Sequence, residues 1–126
     1  MINSEQIAIQ EETLKSAIVI MAIESWRFGR AFDKLIAKTD AGEQERGKSQ
    51  FRWFMKRLEE ALSLVEMKLV NIEGQRFEPG TAASPLNIED FDAKDELIVE
   101  QMLEPIIMGK DGIIKMGTVM LRKVME

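Results

Sequence analysis

The stretch Leu69-Val-Asn-Ile-Glu-Gly-Gln-Arg-Phe-Glu-Pro-Gly80 divides the chain into two grammars. Before it, apolar residues recur at alternating four- and three-residue steps. After it, Gly74, Pro79, Gly80 and Pro85 punctuate a region with little helical periodicity, followed by apolar runs rich in β-branched residues. A change of this kind at one point predicts helices followed by strands. The expected class is α+β, with a helical domain over residues 1–70 and a small, mainly antiparallel β-domain over 71–126.

In the first half, Ile7, Glu11, Leu14, Ile18, Met21, Ser25, Phe28, Phe32 and Leu35 follow the spacing of a bundle seam and predict a helix over about residues 4–38. Asn3 or Ser4 can cap it. Thr39-Asp-Ala-Gly42 breaks the pattern, and Asp40 followed by Glu43 reads as a capping pair for a second helix, with Gly47 weakening its first turn. That helix places Phe51, Met55, Leu58, Leu62, Val65 and Leu69 on one stripe, and the phenylalanines 28, 32, 51 and 54 read as packing residues.

The run Ala17-Ile-Val-Ile-Met-Ala-Ile23 is apolar at seven successive positions, so it covers the whole circumference of its helix. One partner helix cannot bury it, which leaves the β half or a second copy of the chain to supply the missing cover. A homodimer forming a four-helix bundle is expected, with Leu14, Ile18, Met21 and Phe28 at the interface.

In the second half, Leu97 to Met108 reads as a long strand bent or edged at Pro105. Gly109-Lys-Asp-Gly112 is a turn, and short strands follow over 113–116 and 118–124, around Gly117.

Composition limits the chemistry. With 126 residues, 45% of them apolar, the chain can bury a core but cannot house a large enzyme. It has no cysteine and no histidine, which removes disulfides, thiolate metal sites, the usual zinc ligands and His-based nucleophile pairs. No catalytic activity, metal or cofactor is expected. The acidic run Asp90-Phe-Asp-Ala-Lys-Asp-Glu96 fails as a calcium loop, because Lys94 stands where a ligand is needed and Asp95 where a glycine is. Gly109-Lys-Asp-Gly112 matches a nucleic-acid backbone clamp in letters but lies between strands rather than helices. Gly80-Thr-Ala-Ala-Ser-Pro85 lacks the Gly-Lys of a phosphate loop.

The N-terminus lacks a basic leader and no apolar run approaches the roughly 20 residues that span a bilayer, so a cytoplasmic protein without membrane contact is expected. The net charge of −5 argues against nucleic acid as the main partner. Its distribution is uneven. Residues 27–57 carry nine Lys or Arg against four Asp or Glu, whereas residues 71–126 carry six against eleven.

From about residue 20 to 124 the order of elements resembles the C-terminal two-thirds of GrpE, the nucleotide exchange factor of DnaK-type chaperones. Phe51 to Pro79 is similar to the family's last bundle helix running into its Gly-x-x-Phe-Asp-Pro signature, carried here by Gly74, Phe77, Glu78 and Pro79. Residues 98–124 resemble its concluding hairpin. The family's His-Glu-Ala step is Gly80-Thr-Ala-Ala83 here, its hairpin Gly-Tyr falls near Pro105-Ile106, and its Arg-Pro-Ala is replaced by Lys115-Met-Gly117. The long N-terminal stalk of the family has only residues 1 to about 16 as its counterpart.

The resemblance implies a co-chaperone that opens the nucleotide cleft of a DnaK-type ATPase domain through surface complementarity, with no catalytic residue. The implied contact surface is Glu104, Pro105, Met108, Lys110, Lys115 and Met116, while Gly74, Phe77 and Pro79 shape the domain, with the Phe77 ring expected to be buried. The alternative is a dimeric adaptor on the same scaffold without exchange activity. A third class, nucleic-acid binding, would use Arg27, Arg30, Lys34, Lys38, Arg52, Lys56 and Arg57.

Overall fold

Two helices lead and seven strands follow in the computed structural model, which describes residues 3–124. The chain is α+β, as expected. It divides into two compact units, Met1–Leu58 and Glu59–Glu126.

Helix α1 spans Ser4–Ile36 and starts on a complete capping box. The Gln6 N–H donates to Asn3 Oδ1 (2.8 Å) and the Asn3 N–H donates to Gln6 Oε1 (3.0 Å), so two orphan donors of the first turn are satisfied reciprocally. The helix ends two residues before the expected 38. Asp40 caps helix α2 (Ala41–Ser63) by accepting from the Glu43 N–H (2.9 Å), while the Gln44 amide donates to the Ala37 and Thr39 carbonyls and fixes the short connection. The two helices approach closely at glycines. A Cβ on Gly29 would stand 3.3 Å from a Phe51 ring carbon, and one on Gly47 would collide with the Ile36 side chain.

Helix α2 stops at Ser63, not at Leu69. Its end is a Schellman motif: the Met67 N–H donates to the Leu62 carbonyl (3.0 Å) and the Glu66 N–H to that of Ser63 (3.1 Å), with Glu66 held at φ 58°. Leu62 and Met67, the apolar pair such a motif draws together, are each only 3% exposed. Lys68 to Val70, expected to extend the helical stripe, is instead strand β1 (Lys68–Val70).

The remaining strands are β2 (Arg76–Phe77), β3 (Ala83–Pro85), β4 (Leu97–Glu104), β5 (Ile106–Gly109), β6 (Gly112–Lys115) and β7 (Gly117–Lys123). They form a three-stranded sheet, β1-β5-β6, and a four-stranded sheet, β2-β4-β7-β3, antiparallel except for β3 against β7. The expected long strand from 97 to 108 is one path that changes sheets at Pro105. The return path changes back at Met116-Gly117. Gly117 is required there, since a Cβ would lie 2.9 Å from Met102 Cε, 3.0 Å from Ile106 Cγ1 and 3.1 Å from the Glu104 carbonyl oxygen. Around this corner the core closes with Val99, Met102, Ile107, Val119 and Leu121, all 2% exposed or less.

Candidate partner-binding surfaces

The junction between the helical and β halves is a pair of tight turns. Gly74 adopts φ 84°, and its N–H donates to the Val99 carbonyl (2.8 Å) while the Val99 N–H returns to that of Gln75 (2.9 Å). Pro79 and Gly80 (φ 91°) occupy the middle of a second turn, closed by the Thr81 N–H on the Glu78 carbonyl (3.0 Å) and by the Glu78 N–H on Thr81 Oγ1 (3.0 Å). Phe77 pairs with Leu97 on the short strand β2 and is half-buried rather than buried, because that strand lies at the edge of its sheet.

Glu73 is a positioning residue that the sequence pattern did not mark. The β4–β7 register shifts between Val99 and Gln101 and between Met102 and Glu104, which frees main-chain groups of β4 from the ladder. The Glu73 carboxylate accepts the Met102 N–H (2.9 Å), and the Ile72 N–H donates to the Met102 sulfur (3.3 Å). These bonds fasten the junction to the bulged strand. An isolated Glu between Ile and Gly carries no sequence signal for such a task.

Beyond the corner, β5 and β6 form a hairpin with Lys110 and Asp111 at its tip, between paired Gly109 and Gly112 (φ 132°). Cross-strand pairing puts Lys68, Met108 and Ile113 on one face, and Leu69, Ile107 and Lys115 on the other. The six residues implied as a contact surface therefore do not form one patch. Met108 is half-buried, Lys110, Lys115 and Met116 are exposed, and Lys115 shares its face with the fully buried Ile107. Glu104 is half-buried and accepts from Thr118 Oγ1 (2.6 Å). Pro105 is fully buried and belongs to the corner, not to the surface, because the strand path turns there between two sheets.

Ile113 and Ile114, read only as a strand, are 50% and 41% exposed on β6, which lies at the edge of its sheet. The flanking glycines at 112 and 117 were the available cue to a short terminal strand. The coherent exposed feature is a hairpin whose apolar residues Met108 and Ile113 stand beside Lys68 and Lys110.

Helix α1 presents a second surface. Its buried positions are Ala22, Ile23, Trp26 and Gly29, whereas Leu14, Met21 and Phe28, expected at a dimer interface, are 63%, 68% and 71% exposed, and Ile18 is half-buried. The two sets lie roughly a third of a turn apart on the helix. Within the chain, then, α1 has one apolar stripe covered and another bare. Within the run Ala17 to Ile23, Ile20 and Met21 remain 61% and 68% exposed. Near the bare stripe, Phe28, Gly29, Phe32, Gln50, Phe51 and Phe54 line an open aromatic cleft of about 180 Å³.

Among the described residues no cluster of side chains could hold a metal ion, and no helix is long and apolar enough to cross a membrane. No family model matches the chain, and neither a curated protein nor a solved structure matches it.

Proposed function

We propose that this protein is a homodimeric, GrpE-like co-chaperone of the cytoplasm that promotes ADP/ATP exchange on a DnaK-type chaperone by binding and opening its nucleotide cleft. The exposed β5–β6 hairpin carries this reading: Met108 and Ile113 offer apolar area beside Lys68 and Lys110, on a strand pair fastened by buried Ile107. Such a surface binds without catalysis. If it fits an open cleft better than a closed one, it shifts the equilibrium toward opening, and nucleotide must weaken its binding by the same factor. A coupling of about 1–3 kcal/mol changes nucleotide affinity roughly 5- to 150-fold. The bare stripe of α1 supports the dimer, since a second copy of α1 and α2 would complete a four-helix bundle.

The test is release of labelled ADP from a co-encoded DnaK-type ATPase domain. Acceleration by the protein, dissociation of the complex by excess nucleotide, and loss of both effects in the double variant Lys110→Glu, Ile113→Asp are expected. A second reading, a dimeric adaptor without exchange activity, is favoured by the buried Pro105 corner, which occupies the place of the family's hairpin Gly-Tyr. Tight binding with unchanged ADP release would select it.

A further inference from the structure

The outward face of α2 belongs to neither surface described above. Lys48, Arg52 and Lys56 follow one another at four-residue steps, about 6 Å apart along the axis, in a strip that turns outward from beside Met55 to Lys56, and Trp53 lies next to Lys56 on the side away from Phe51, Met55 and Leu58. All four are exposed, Trp53 by 59%. A tryptophan that packs buries about 150–250 Å², so a bare one opposite the apolar stripe contributes little to the folding of this hairpin. The Arg57 guanidinium lies 5.9 Å from the Trp53 ring centroid. Three acids, Glu45, Glu59 and Glu60, share this face with Arg46, Lys48, Arg52, Lys56 and Arg57. Glu45 reaches Arg52 at 4.0 Å with both side chains more than 60% exposed, a pairing that water and salt loosen easily, and Glu59 and Glu60 end the strip.

We propose that this face binds single-stranded nucleic acid, with the regularly spaced cations on successive phosphates and a base stacked on Trp53 beside Arg57. Evenly repeated cations suit a polymer with evenly repeated anions, and an exposed indole next to a guanidinium suits a base, whereas a purely acidic peptide such as polyglutamate has no flat ring to stack there. The net charge of −5 does not oppose this reading, because residues 27–57 carry nine cations against four acids and the surplus acid lies on either side of them.

Fluorescence anisotropy of a labelled oligouridylate titrated with the full chain tests it between about 50 and 200 mM salt. Binding should weaken with a log–log salt slope near −0.7 per phosphate neutralised, so about −2 for three cations. Trp53→Ala should weaken binding roughly tenfold with the slope unchanged, whereas Lys56→Glu should make the slope shallower. Both positions are exposed, so unchanged circular dichroism is expected, and each variant reads a different contribution. Absence of binding, equal affinity in Trp53→Ala, or displacement of the oligonucleotide by polyglutamate as effectively as by unlabelled oligouridylate would overturn the proposal.

Discussion

The corner of the β unit encloses its apolar residues, whereas α1 leaves many of its own bare. Around the sheet corner Ile107 and Val119 are 0% exposed and Val99 is 1% exposed, although the strands are short and the unit small. Helix α1 is 33 residues long, yet every described residue from Asn3 to Ala17 is exposed, and Leu14, Met21, Phe28 and Leu35 remain more than 60% exposed. The difference lies in geometry. A sheet that folds over at Pro105 and Gly117 encloses both inner faces with one chain. A helix with two apolar stripes needs two neighbours, and an αα-hairpin supplies one.

This contrast yields predictions that differ in kind. Ile107→Ala, in the closed corner, should cost about 2–5 kcal/mol, read by urea denaturation followed through a signal of the β unit, because a cavity replaces a fully enclosed side chain. The same truncation at Phe28 should change the stability of an isolated chain by only about 0.5 kcal/mol or less, since its ring is mostly exposed. Its effect should instead appear as a loss of concentration dependence in thermal melts. Equal effects at both positions would remove the distinction between a closed and an incomplete unit.

Gly117→Ala should cost about 1–3 kcal/mol, because the new methyl meets Met102, Ile106 and a main-chain oxygen at 2.9–3.1 Å. Phe77→Ala should cost about 1–3 kcal/mol, less than a buried phenylalanine would, since the ring is only half-covered on an edge strand. The smallest effect has the opposite sign. Glu66→Gly should stabilise the chain by about 0.5–1 kcal/mol, because Glu66 holds the left-handed position of the Schellman motif where glycine carries no Cβ penalty. A destabilised Glu66→Gly variant would show that the Glu66 side chain makes a contribution larger than its backbone strain.

Helix starts were legible because their chemistry is local: Asn3 with Gln6 and Asp40 with Glu43 are caps written within four residues. The end of α2 was not, since the usual glycine is absent and the apolar stripe continues through Val65 and Leu69 into a strand. The strand path from 97 to 124 was legible from Pro105, the Gly109–Gly112 turn and Gly117. The partition of its surface was not. A bulge after Ile107 sets which side chains share a face, and it depends on pairing with β6 rather than on alternation within β5. The implied contact residues accordingly omitted exposed Ile113, and they included Pro105, which is buried because the strand path turns there between two sheets. On α1 the expected seam of Leu14, Met21 and Phe28 is real as a stripe, but it lies beside the buried one rather than on it.

The incomplete burial of α1 is tested most directly by sedimentation equilibrium of the full chain at micromolar concentration, alongside a Met21→Glu, Phe28→Glu variant. The account predicts a species of about 29 kDa, twice the 14.4 kDa chain mass, for the unaltered protein and a folded 14.4 kDa monomer for the variant, because a carboxylate on the bare stripe costs little until a second copy buries it. An unaltered protein that sediments as a 14.4 kDa monomer, with its α1 stripe left in water, would contradict it.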